Sequence, residues 1–308
     1  MFPRKAYKMR AAGTICKVCQ SKNIHHFCEK NGYMILRCNS CGLAFVNQNV
    51  TAKEILHYYS SKYNYEYPSI WGDASRHALA RYKLLKNTSD KEKGFLLDVG
   101  CSFGHFLTVA KQHGWVVKGI EIDHNCVIYA QQKFGLDVFA GTLEQAHFGD
   151  STFDVITLFH VLEHITNPQR MLLDFFEILK PDGILLLLTP NIDSLHFRIL
   201  KTFHPWLSPP AHLFYFSQKS LELLLKRSGF VIRSMKTCKV DADNLFTEIL
   251  VELGKRFLSL SQPSAKIISK HAGITRVFRV LRKITDTILG PFDNLDAEIF
   301  VVAQKISG

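Results

Sequence analysis

From Phe95 onward, short apolar runs alternate with helix-length amphipathic segments. Strand-sized runs stand near Phe95–Val99, Val116–Glu121, Val138–Ala140, Val155–Phe159, Ile184–Thr189, Val231–Lys236 and Glu298–Gln304. Between them, apolar residues at helical spacing predict helices near Gly104–His113, Asn125–Phe134, Pro168–Leu179 and Ser217–Ser228. Ser217 suits an N-cap because its hydroxyl can accept from the helix's first free N–H groups. Gly229 suits the left-handed residue that ends the same helix. Strand–helix repetition of this kind calls for a parallel sheet with helices on both faces, an α/β fold.

The pattern before Phe95 is different. Cys16, Cys19, Cys38 and Cys41 make a C-x2-C-x18-C-x2-C array, and five of the eight cysteines fall between residues 16 and 41. In a reducing compartment such clustering points to a metal rather than to disulfides. Two paired knuckles supply four thiolates, which close a tetrahedral Zn²⁺ shell and leave no open position, so the expected role is structural. A small zinc ribbon is therefore expected over residues 1–49, with Gly42 in a tight turn. Cys28, His25 and His26 are competing donors and are read as ordinary loop residues. Residues 50–94 read as a helical linker or cap. Its tyrosines, Tyr58, Tyr59, Tyr63, Tyr65 and Tyr67, would pack the ribbon onto the core, and Lys86–Gly94 would be the linker.

The first strand of the repeat runs into Asp98-Val-Gly100-Cys-Ser-Phe-Gly104. Glycines at a strand-to-helix turn let the backbone approach a ligand, and the helix N-terminus behind them favours negative charge. The spacing is G-x-x-x-G after a carboxylate, not the dinucleotide G-x-G-x-x-G. Twenty-three residues after Asp98 the second strand ends in Gly119-Ile-Glu121-Ile-Asp123, where a carboxylate can accept both hydroxyls of a ribose.

These two elements resemble the class I S-adenosylmethionine-dependent methyltransferases, whose loop is typically D-V-G-C-G-x-G. Here Ser102 replaces one glycine. Phe153–Pro168 (FDVITLFHVLEHITNP), Leu179–Asn191 (LKPDGILLLLTPN) and Ala211–Phe230 (AHLFYFSQKSLELLLKRSGF) look like signatures of a bacterial branch. That branch works on glycans, nucleotide sugars and other small molecules, and some members carry such a ribbon. The resemblance spans roughly 16–240 plus a last strand near 297–305. It implies a Rossmann-like seven-stranded sheet with its last strand antiparallel, over a domain of residues 95–308. It also implies that Asp98, Gly100, Cys101 and Gly104 hold the methionine end of the cofactor. Glu121 and Ile122 would take the ribose side, and Thr142 and Leu143 would flank the adenine.

A sulfonium is already an activated methyl donor, so the protein has to align the acceptor and, for a hydroxyl, remove its proton. His164 is the favoured base, with His160 placed near the cofactor and His212 as a second candidate. Glu163 is read as holding the loop, and Asn191 as lining the pocket. His160-x-x-Glu163-His164 also reads as an H-x-x-E-H peptidase pattern, but that requires both histidines on one helix face, and here a strand ends.

Charge narrows the partners. The total of +11 is split into +6 over residues 1–30, +8 over 255–283 and −3 over everything else. An acidic middle argues against a nucleic-acid channel through the core. The expected acceptor is a hydroxyl of a small molecule, a glycan or a lipid-linked compound; RNA or protein methylation and non-catalytic cofactor binding are the alternatives. Within an insertion spanning 241–294, the apolar positions of 255–283 recur at helical spacing among basic residues. That face is read first as packing on the core or on a second subunit, and second as resting on an anionic membrane. No run reaches membrane-spanning length and the basic N-terminus lacks the apolar stretch of a secretory signal, so a cytoplasmic location is expected.

Overall fold

The computed structural model describes residues 13–51, 54–55, 74–88, 93–238 and 297–306. The tyrosine-rich stretch and the basic segment 255–283 lie outside the described residues. Among those that are described, no helix is long and apolar enough to cross a membrane.

A seven-stranded sheet forms the centre. Its strands are β4 (Phe95–Val99), β5 (Val116–Glu121), β6 (Val138–Ala140), β7 (Phe153–Phe159), β8 (Leu179–Pro190), β10 (Val231–Cys238) and β11 (Glu298–Gln304). Their order is β10-β11-β8-β7-β4-β5-β6. β4 pairs in parallel with both β5 and β7, and β7 in parallel with β8. β11 runs antiparallel between β8 and β10. The sheet is thus the expected one, with the last strand reversed. The strand order switches direction at β4, and in open α/β sheets ligands bind beyond the carboxyl ends of the strands at such a point.

Helices cover both faces. On one lie α1 (Ala74–Thr88), α2 (His105–Gln112) and α3 (His124–Phe134); on the other lie α5 (Pro168–Ile178) and α7 (Gln218–Arg227), with the single turn α4 (Leu143–Ala146) and the short α6 (Leu195–Leu200) at the strand ends. Local chemistry starts and stops them. The Asp123 carboxylate accepts from Asn125 N–H at 2.9 Å to open α3, and Asn167 caps α5 with Pro168 in its first turn. Ser217 and Ser220 cap α7 reciprocally, at 3.1 and 2.9 Å, and Gly229 follows at φ 88°. Two boundaries differ from the sequence reading. α1 continues through Lys86 to Thr88 because Leu85 is fully buried against the sheet, so the linker starts no earlier than residue 89. β8 begins at Leu179, ahead of Pro181, because Leu179 pairs with Phe153.

The N-terminal module is a three-stranded antiparallel sheet of β1 (Ile24–Lys30), β2 (Tyr33–Cys38) and β3 (Ala44–Val46). It gains a fourth strand from the main domain, β9 (Phe214–Tyr215), with Ala44 opposite Tyr215 and Phe45 opposite Phe214. Ser217 Oγ donates to Cys41 O at 2.7 Å, Lys30 Nζ to His204 O at 2.9 Å and Asn31 Nδ2 to Pro209 O at 2.8 Å. Arg37 pairs with Asp193, and Arg227 donates to Val18 O. Buried residues of the module, among them Leu36 and Phe45, join one apolar core with Leu97, Leu187 and Phe175 of the main domain.

Candidate functional site

The loop after β4 is held in shape by its glycines. Gly100 sits at φ 74°, and a Cβ there would lie 2.4 Å from Val161 Cγ2. Gly104, at φ 76°, would drive a Cβ to 2.4 Å from Leu136 Cδ1, where α2 meets the end of α3. Gly104→Ala is therefore expected to cost about 1–3 kcal/mol through left-handed strain and overpacking, read as a lower urea midpoint at unchanged slope. Ser102 takes a left-handed φ of 49°, a conformation that glycine adopts without strain.

Glu121 ties this loop to the end of β5. Its Oε2 accepts from Ser102 N–H at 2.8 Å, and its Oε1 from the Ile122 and Asp123 N–H groups at 2.8 and 3.0 Å. Burial raises its pKa and the three backbone donors oppose that shift. Asp98 is buried and accepts from Thr157 Oγ1 at 2.6 Å. Burial pushes it up to about 7, against the Thr157 bond and the positive charge of Arg81. An ammonium group arriving beside Asp98 would ionise it, which suits the amino group of a methionine moiety. The Cys101 thiol is buried, where a Cβ on Gly119 would meet its sulfur at 2.7 Å. Ile122 is 48% exposed at the strand end, whereas Leu143 is buried in the first turn after Thr142. The Thr142 N–H is already taken by Gln145 Oε1 at 2.9 Å. An exposed apolar side chain at this place offers a face to a flat base.

Beyond β7 the histidines divide into two groups. His160, at φ 56°, is gripped by two buried carboxylates: Nε2 lies 2.7 Å from Glu298 Oε1 and Nδ1 lies 3.4 Å from Glu163 Oε1. Burial alone would discharge the ring, but the two carboxylates outweigh it and raise its pKa to about 10. A base role near neutral pH is closed to His160, because the ring already carries its proton. Glu163 is held at about 2: burial opposes ionisation, while the contact with the His160 imidazolium more than offsets it. Its Oε2 accepts from Thr189 Oγ1 at 3.0 Å.

His164 lies in the 3₁₀ turn Leu162–His164, with its Nδ1 2.8 Å from Ala211 O. A carbonyl can only accept, so Nδ1 carries the hydrogen and Nε2 keeps its lone pair. The ring meets His212 edge to face at 4.6 Å. Burial and the charge of His164 push His212 down to about 3, so it is neutral, and its Nδ1 has no hydrogen-bond partner. The H-x-x-E-H pattern makes no peptidase face, since a 3₁₀ turn follows a strand end. Asn191 is buried: its N–H donates to Ala297 O at 2.8 Å, and its Oδ1 accepts from Asp193 N–H at 3.0 Å.

Sequence reasoning missed Glu298, Thr157 and Thr189, which set the charges of this site from distant strands. It also missed His204, fully buried and stacked on Phe197 at 3.6 Å, and Trp206, edge to face with His160 at 5.6 Å.

The four ribbon cysteines do converge. Their sulfurs all lie within 4.8 Å of one another, with Cys16–Cys41 and Cys19–Cys38 each at 3.5 Å. Tetrahedral Zn–S bonds of about 2.3 Å place sulfurs about 3.8 Å apart, so the set fits structural zinc. A bond from the Cys41 thiol lowers Cys16 to about 5 despite burial, which readies one thiolate. Cys28 stands apart from the set on β1, and burial raises it to about 11. His25 and His26 are exposed on the same strand.

A family model described as a methyltransferase domain matches residues 71–235. The ubiquinone biosynthesis O-methyltransferase of Coxiella burnetii is 28% identical over 116 residues, covering 36% of this chain and 50% of that protein. A probable S-adenosylmethionine-dependent methyltransferase of Mycolicibacterium smegmatis is 26% identical over 161 residues, 51% of this chain and 58% of that protein. The chain thus spans about half the length of the curated relatives it matches. Among solved structures, a Thermotoga maritima SAM-dependent methyltransferase superposes with a TM-score of 0.51 at 17% identity, over 82% of this chain and 98% of that one. At that identity the likeness is one of fold.

Proposed function

The chain belongs to the methyltransferase-domain family, and from that premise we propose that it transfers the methyl group of S-adenosylmethionine to a hydroxyl of a small molecule, sugar, glycan or lipid-linked acceptor. One observation carries the choice of oxygen: His164 and His212 face each other beyond β7, the first with its tautomer fixed by Ala211 and the second neutral. In this reading Asp98 and the turn through Gly100, Cys101 and Gly104 hold the methionine end, the first through its charge and the others through backbone. Glu121 takes the ribose hydroxyls on lone pairs its three N–H donors leave over, and Ile122, Thr142 and Leu143 border the base.

The cofactor supplies an electrophilic methyl on a sulfonium: the O–CH₃ bond forms as the S–CH₃ bond breaks, and the electron pair stays on sulfur. The acceptor proton goes to His164 Nε2. His212 orients the acceptor, and His160 keeps Glu163 charged beneath them. Alignment of this kind supplies roughly 7–11 kcal/mol of the barrier. The basic, amphipathic segment 255–283 supports the lipid-linked version of the acceptor, and the −3 balance of the remaining chain weighs against RNA.

The test is calorimetric titration of zinc-loaded protein with S-adenosylhomocysteine, followed by a screen of sugars, quinols and lipids for methyl incorporation. Micromolar binding is expected, weakened at least tenfold in Glu121→Ala. Folded protein that fails to bind the product would sink the reading.

A further inference from the structure

We infer that Glu163, His164 and His212 form a divalent-metal site of the two-histidine, one-carboxylate type, separate from the ribbon cysteines. This deepens the oxygen-methylation reading and rests on it for the acceptor, though not for the metal. One donor atom from each of the three residues lies within 4.8 Å of the other two. Bonds of about 2.0–2.2 Å to an ion bring such donors about 3–3.5 Å apart, so closure requires side-chain adjustments of about 1 Å.

One buried donor in the cluster lacks the partner that buried polar atoms normally have, and another is loosely held. Glu163 is 1% exposed; its Oε2 accepts from Thr189, while its Oε1 stands 3.4 Å from His160 Nδ1 without a well-formed hydrogen bond. His212 Nδ1 has no hydrogen-bond partner. The third donor is prepared: Nδ1–H of His164 points at Ala211 O, an arrangement that in metal sites fixes the ring and presents Nε2. The Glu163 carboxylate brings negative charge to the cluster, its Oε1 3.4 Å from His160 Nδ1. The outer shell is in place as well, with Thr189 on Glu163 and the Leu213 N–H on the Glu163 carbonyl at 2.8 Å.

Nitrogen and oxygen donors with open positions suit Mn²⁺, Fe²⁺, Co²⁺ or Zn²⁺, and one open position would take the acceptor oxygen. Coordination there would lower the pKa of an O–H group, so in the metal-loaded site the proton would leave to solvent as the oxygen attacks the methyl. His164 Nε2 would then serve as ligand in place of the base role it has in the metal-free reading. The three ligands sit where β7 ends and where the segment before β9 returns, at the same end of the sheet as the cofactor loop.

The experiment is a titration of Mn²⁺ alone into protein whose ribbon is saturated with zinc, followed by electron paramagnetic resonance. Mn²⁺ competes poorly for four thiolates, so the ribbon does not contribute. One Mn²⁺ per chain is expected, with affinity falling at least tenfold in both His212→Ala and His164→Gln while S-adenosylhomocysteine still binds. Paramagnetic broadening of the His164 and His212 ring protons in the unaltered protein gives a readout that needs no variant. No bound Mn²⁺, binding unchanged by the two substitutions, or broadening elsewhere would each overturn the site. None of these results bears on methyl transfer, which stands or falls on product binding.

Discussion

Stripping zinc from the ribbon is expected to destabilise the whole chain, not the first fifty residues alone. Four-thiolate zinc contributes apparent binding energies of about 10–16 kcal/mol near neutral pH, as large as the total stability of a typical domain. In an isolated ribbon that loss would stay local. Here β3 pairs with β9, and Ser217, the cap of α7, donates to the carbonyl of the ligand Cys41. Cys16, Cys38 and Cys41 are themselves members of the core that contains Leu97 and Leu187. Calorimetric scans should show a main transition lowered by 10 °C or more after chelation, and Cys38→Ser should match it without chelator. Protein that purifies without zinc, or a transition indifferent to it, would remove the metal from the account of stability.

The same geometry makes the effect on function uneven. Lys30, Asn31 and Arg37 hold His204, Pro209 and Asp193, which belong to the segments before and beside His212. The cofactor loop is anchored elsewhere, by Glu121, Val161 and the α2–α3 contact. Loss of the ribbon's grip should therefore weaken acceptor turnover more than product binding.

Much of this was legible from periodicity and turn chemistry, because those signals are local. Ser217 and Gly229 bracket α7 as any cap pair would, and the glycine loop lies in register with β4 and β5. What was not legible depends on contacts far apart in sequence. Glu298 lies 138 positions from the histidine it binds, and no local pattern distinguishes it from any other strand glutamate. β9 has only two residues, Phe214 and Tyr215, too short to announce that the ribbon is one strand short and borrows it. Cys101 falls in a motif that promises cofactor contact, yet the small residue opposite it, Gly119, leaves space that its thiol fills.

Replacing His160 with alanine is expected to cost about 3–5 kcal/mol, because it removes a buried cation that contacts two buried carboxylates. Glu298 is fully buried and Glu163 nearly so, and the histidine joins the end of β7 to β11 across β8. The pH dependence identifies the cause. The folded pKa of His160 is raised to about 10, so its contribution is complete below the unfolded value near 6.5 and is lost as pH climbs through 10. Glu163 is lowered to about 2, so its contribution is complete above about 4.5 and is lost as pH falls through 2. Stability from this triad should therefore be greatest between about pH 4.5 and 6.5 and decline through the alkaline range. In His160→Ala the decline toward about pH 10 should vanish, any remaining loss falling at lower pH as the uncompensated carboxylates ionise. The gap to the unaltered protein should therefore narrow between about pH 8 and 10. Urea midpoints from pH 5 to 10, taken without added divalent ions, decide the matter. Parallel curves for the two proteins would mean that the histidine acts through packing against Trp206 rather than through its charge.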